Sequence, residues 1–189
     1  MKNNISEWLF NPFKRIAGYE AFFTGLFISL VTVVIGTFSG IAFDGVIDAH
    51  LGNDLTILKS FLYLVISVIT LVLVMYFAGT FINTGFRFID LLGTMTLARA
   101  PFLIIALAGF FAKSPELEEM IKNPVIIFHY TGFMVLIFLS LPILIWYIVL
   151  LYRAFKITTG ANGTKLIAAF VVGLIVSEVL SKTFIFLLL

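Results

Sequence analysis

The stretch Leu166 to Leu189 reads LIAAFVVGLIVSEVLSKTFIFLLL, with Glu178 and Lys182 four residues apart in an otherwise greasy run. That spacing puts opposite charges on one helical face. A charge at mid-bilayer costs about 2.5–3.5 kcal/mol, while each buried Leu, Ile, Val or Phe returns about 0.3–0.6 kcal/mol. The sixteen such residues between Leu166 and Leu189 offset the two charges, so the segment inserts. An internal Glu178–Lys182 ion pair is expected, with Lys182 reaching toward the nearer surface. The sharper reading is that the pair marks a polar interior, because intramembrane ionisable groups usually face protein or water.

Working outward, the same texture covers the chain. Hydrophobic residues make up 61% of its 189 residues and charged residues 12%, too few charges for an ordinary soluble surface. The expected fold class is all-α: a polytopic membrane protein of five transmembrane helices with a short interfacial amino-terminal helix. Residues 1–18 form the amphipathic segment and 19–189 the helical domain. A bilayer core needs roughly 17–25 helical residues, and five runs qualify, at about 21–43, 61–82, 96–112, 125–151 and 166–188. The third is the shortest, with Arg99 and Pro101 near its start, so its entry is expected to be bent or pinned at the interface. Pro142 should kink the fourth and free a carbonyl near Phe138.

Lys and Arg are retained on the cytoplasmic side. Lys2, Lys14, Arg15, Arg87, Arg99, Arg153, Lys156 and Lys165 fall on one side of these spans, and Lys59, Lys113 and Lys122 on the other. The amino terminus is therefore expected in the cytoplasm and the carboxyl terminus outside. Ile5, Trp8, Leu9, Phe13 and Ile16 share one side at helical spacing, with Asn11-Pro12 interrupting the turn. Ser114-Pro115 is expected to open a short acidic helix through Glu119, and Asn123-Pro124 to open span four. Trp146, Tyr147 and Tyr152 are expected to anchor that span at the headgroups.

The chemistry is sparse. There is no cysteine, and His50 and His129 are the two histidines, so thiol sites and three-histidine metal centres are excluded. Asp44, Asp48, His50 and Asp54 cluster after span one in no recognised metal-loop spacing, which reads as a solvated acidic loop. Ser39, in Gly36-Thr37-Phe38-Ser39-Gly40, lacks the pattern of an intramembrane serine protease; the small residues suit close helix packing. The Gly160–Lys165 stretch joins two helices and is a turn, not a phosphate loop. No catalytic, cofactor or metal set is assigned, and a net charge of +2 gives no reason to expect nucleic acid as a partner.

The run Gly79-Thr80-Phe81, Gly85-Phe86-Arg87-Phe88-Ile89-Asp90-Leu91-Leu92-Gly93-Thr94 and Ala98-Arg99-Ala100-Pro101-Phe102, followed by Trp146 and Tyr152-Arg153-Ala154-Phe155-Lys156, resembles bacterial Yip1-domain membrane proteins over residues 12–189. The resemblance implies five helices, an internal amino terminus and no catalytic residues. Eukaryotic members are linked to secretory membranes and Rab-type GTPases. The chain lacks their long amino-terminal region and Asp-Leu-x-Gly-Pro motif, so Rab binding is not carried over, and a bacterial inner membrane is the expected location.

Two functions follow as expectations. The first is a non-enzymatic membrane adaptor or organiser, its cytoplasmic loops Gly85–Arg99 and Arg153–Lys165 presenting Arg87, Arg153 and Lys156 to anionic lipid, a membrane-protein partner or a second copy. The alternative is a small transporter or ion-conducting subunit with a polar site around Arg99, Glu178 and Lys182. By helical rise, Glu178 lies about 20 Å from the cytoplasmic surface and Arg99 about 10 Å, which favours Glu178–Lys182 as the direct pair.

Overall fold

The computed structural model describes residues 5–52, 54–112 and 117–189. Helix α1 (Ile5–Phe10) and a 3-10 turn (Pro12–Lys14) precede α2 (Gly18–Ser39). Two short strands, β1 (Ile41–Ala42) and β2 (His50–Leu51), lie between α2 and α3 (Ile57–Thr80). Then come α4 (Phe88–Ala98), α5 (Phe102–Gly109), α6 (Leu117–Lys122), a 3-10 turn (Pro124–His129), α7 (Thr131–Thr159) and α8 (Thr164–Leu188). Five stretches are long and apolar enough to cross a membrane: α2, α3, α4 with α5, α7 and α8. The protein is an all-α polytopic membrane protein, as its composition requires.

Several expected boundaries shift, each for a local reason. Span one ends at Ser39 because Gly40 takes a left-handed conformation (φ 74°) and turns the chain back. Ile41, Ala42 and Phe43, which read as the end of that span, instead enter the bundle and are buried. Span three begins at Phe88, not near Thr96: Arg87 and Asp90, which read as loop, form an ion pair across its first turn (2.8 Å). Arg99 consequently lies in mid-span rather than near the entry. Asn123-Pro124 opens a 3-10 turn, and span four starts at Thr131 and runs past Leu151 to Thr159. The expected Ser114-Pro115 helix start lies outside the described residues.

Span three is the central one, with 67% of its apolar window buried against 28% for spans four and five. It packs on α2 and α7, while α3 packs on α8. Close approach of α2 and α4 depends on missing side chains. A Cβ on Gly25 would enter the Leu97 backbone, and one on Gly93 would meet the Gly18 carbonyl and Ala21; small residues allow such contact between membrane helices. Around Pro101 the α-helical ladder gives way to shorter bonds, Phe102 N–H to Arg99 O (3.0 Å) and Ile104 N–H to Pro101 O (3.0 Å). Proline has no N–H and its ring crowds the preceding turn, so the expected bend falls here. Pro142 lies inside α7, which continues through it.

At the amino-terminal end, Glu7 accepts from Lys14 (3.2 Å) and Arg15 (3.1 Å), folding α1 against the following turn. Trp146 donates from Nε1 to the Leu9 carbonyl (2.8 Å) and packs on Phe10. It ties α1 to α7. Tyr147, also expected at the interface, is fully buried among Phe102 and the core.

Candidate functional site

The segment that follows Gly40 is a re-entrant loop: Ile41 to Val46 wedge among the helices, while His50 and Asp54 stay exposed, as expected of a solvated acidic connection. Its neck is closed by β1 and β2, which pair Ile41 with Leu51 and Ala42 with His50. Gly52 N–H donates to Gly40 O (2.9 Å) one step further out. Burial of Ile41, Ala42, Phe43 and Val46 drives the loop inward. Phe43 packs on Phe102 (5.3 Å between rings), and Phe102 packs on Tyr147 (4.5 Å).

At the tip, one peptide unit gathers three helices. The Val46 carbonyl accepts from Tyr147 Oη (3.0 Å) and from Arg99 Nη1 (3.4 Å). The N–H of the same peptide, on Ile47, donates to Glu178 Oε2 (2.9 Å). In a trans peptide these groups point in opposite directions, and each peptide carries a dipole of about 3.5 D. Its negative end therefore meets the guanidinium and its positive end the carboxylate. Arg99 also lies over the Phe102 ring, 5.2 Å from its centroid. Gly45 completes the fit, since a Cβ there would lie 2.5 Å from Glu178 Oε1.

Nearer the neck, Lys182 donates to Asp44 Oδ1 (2.8 Å) and to Asp48 Oδ2. His50 Nδ1 lies 3.3 Å from Asp44 Oδ1 and 3.7 Å from Asp48 Oδ2. The acidic cluster is thus filled by a lysine ammonium from α8. The interaction with His50, followed by that with Lys182, holds the Asp48 carboxyl well below its usual range despite partial burial. In turn Asp48, and then the charge of Asp44, hold His50 above its usual imidazole value against the opposing effect of burial.

The expected intramembrane residues are therefore brought together through the loop, with different pairings. Glu178 and Lys182 do not form the expected ion pair: Lys182 finds two carboxylates on the loop, and Glu178 finds a backbone N–H. Arg99 is 3% exposed and makes no carboxylate contact among the described residues. It shares a pocket no larger than a water molecule with Ser29 and Thr32, and Ser29 Oγ has no hydrogen-bond partner there. A larger cavity of about 240 Å³ lies between the loop, α5 and α7, lined by Ile47, Asp48, Phe102, Ser140 and Leu144. Pro142 sits beside it in sequence.

On the face that holds the start of α2, Asn83 Nδ2 donates to Thr159 O (2.7 Å), tying the two connecting loops together. The expected contact surface is smaller than Gly85–Arg99 suggested, because Gly93 to Arg99 is buried. Arg87 is committed to Asp90. Arg153 is exposed and Lys156 half-buried, and among the described residues neither has a carboxylate within salt-bridge distance. Reading the sequence missed Gly45, the Val46–Ile47 peptide and Tyr147. The available signal was the mixture of buried-type residues, Ile41 to Phe43 and Val46-Ile47, with acids in one short connection.

No protein-family model, curated protein or solved structure matches the chain.

Proposed function

We propose that this is a non-enzymatic membrane adaptor or organiser of Yip1-like type, set in a bacterial inner membrane with its amino terminus in the cytoplasm. The observation that supports this reading most is the use of Arg99, Tyr147 and Glu178. All three contact one internal peptide of the re-entrant loop, so each is engaged in holding the fold together. Among the described residues in and beside the tied loops, the cations without a carboxylate within salt-bridge distance are Arg153, Lys156 and Lys165. Their partners on this reading are anionic headgroups or an acidic segment of another membrane protein.

The experiment is crosslinking in native cells, followed by mild-detergent purification, with wild type and Arg153→Glu/Lys156→Glu compared at equal membrane insertion. The adaptor reading expects a stoichiometric partner or anionic lipid that the variant loses. An unchanged set of partners and lipids in the variant counts against it.

The transport reading rests on one observation, the cavity of about 240 Å³ that reaches Asp48 beside the Lys182 contact. It predicts a liposome flux abolished by Glu178→Gln. A retained flux removes Glu178 from that role.

A further inference from the structure

The loop contains an imidazole that is both open to water and joined to the charges that dock it. His50 is 47% exposed on its side chain, and its Nδ1 faces Asp44 and Asp48. Both carboxylates also hold Lys182 from α8. Glu178, on Ile47 N–H, and Arg99, on Val46 O, also contact the loop, and its remaining acid, Asp54, is exposed. The other groups lining the cavity next to Asp48, from α5 and α7, are uncharged. Within the docking contacts, leaving the exposed Asp54 aside, the carboxylates Asp44, Asp48 and Glu178 outnumber the permanent cations Arg99 and Lys182 by one. A proton on His50 closes that difference.

We propose that His50 is a proton-operated latch that keeps the Gly40–Thr56 loop docked in the helical bundle. Position gives it leverage. His50 pairs with Ala42 in the two-stranded neck, so its side-chain contacts act where the chain enters and leaves the bundle. Protonated, it clamps Asp44 and Asp48 against Lys182 and leaves the six charges balanced. Neutral, it leaves two carboxylates on one ammonium, and the neck loosens. The first consequence is access to the cavity lined by Ile47 and Asp48, with the Val46–Ile47 peptide and its hold on Arg99 and Glu178 behind it.

The direction of the shift agrees: His50 is held above its usual value of 6.5, so the docked form keeps its proton longer than an undocked one. The latch contribution is complete below pH 6.5 and declines as pH rises through the docked-state value. Because the imidazole is half in water, the effect is that of a screened ion pair, about two- to fivefold in the docking equilibrium.

The test is amide hydrogen exchange of residues 41–52 in lipid nanodiscs between pH 5.5 and 9, corrected for intrinsic exchange, with α2 amides as the folding reference. Wild type should lose protection in the loop by that two- to fivefold factor on going to high pH, with α2 unchanged. His50→Gln should show the weaker protection throughout, and His50→Lys, with a fixed charge, the stronger protection throughout. A wild-type loop with no step overturns the latch. So does a step of equal size in His50→Gln or His50→Lys.

Discussion

Arg99 and Glu178 face each other across a single peptide plane, the one joining Val46 to Ile47, and make no ion pair with one another. Each side chain is met by one end of that peptide, so two ionisable groups from different spans are partnered by backbone. Removing either partner leaves its half of the arrangement unpaired, and an unpaired polar group out of water is costly.

Glu178→Leu should therefore lower stability by about 1.5–3 kcal/mol, the range for a hydrogen bond to a charged group. Glu178→Gln should lose less, because the amide oxygen still accepts from Ile47 N–H. Chemical denaturation in a mild detergent checks the order; equal losses would mean that charge alone matters.

Gly45→Ala places a methyl group where the Glu178 carboxylate lies. Overpacking of this kind costs about 1–3 kcal/mol. In a Glu178→Ala background the same change should cost less, since only the 3.1 Å approach to Asp48 Cβ remains. A double-mutant cycle that is additive would place the strain elsewhere.

Thermal stability should form a plateau in pH. Asp48 is depressed when folded, so its contribution is complete above its ordinary value of 3.8 and is lost as pH falls through the folded value. His50 is raised, so its contribution is complete below 6.5 and lost as pH rises through the folded value. Melting in detergent should be most resistant between those limits. Lys182→Met should weaken the acid limb, because Lys182 is one of the two groups holding Asp48 ionised.

Gly93→Ala should separate α2 from α4, since the added methyl meets the Gly18 carbonyl and Ala21. A loss of about 1–3 kcal/mol is expected from overpacking, read from the same denaturation curves. Gly163→Ala is not an equivalent control because of its positive φ; Gly85→Ala is, as its nearest contact would be an ordinary 3.5 Å.

The helical class and the five spans were legible because apolar runs of this length have few alternatives in a chain so poor in charge. Residues Arg99, Glu178 and Lys182 were also identifiable, since charges inside such runs demand partners. Their partners were not. Ile41, Ala42 and Phe43 extend the hydropathy of span one without a break, so a turn at Gly40 into the bundle looks like continued helix. Arg87 and Asp90 look like a loop until they are placed three residues apart on a helical turn. The Val46–Ile47 peptide leaves no mark in side-chain chemistry at all, which is why an i, i+4 pairing of Glu178 with Lys182 was the natural expectation. Tyr147 was hidden by its neighbour Trp146, with which it reads as an interfacial pair although the two side chains point to different surroundings.

The central claim is that the Ile41–Val46 part of the loop is inserted among the spans. The chain contains no cysteine, so single cysteines report without background. The decisive measurement is the rate of maleimide labelling of Val46→Cys against Asp54→Cys in the purified protein in lipid nanodiscs, before and after denaturation. Val46 is fully buried and Asp54 is exposed. The account predicts that Asp54→Cys reacts at once and Val46→Cys only after denaturation; equal labelling of both in the folded protein would contradict it.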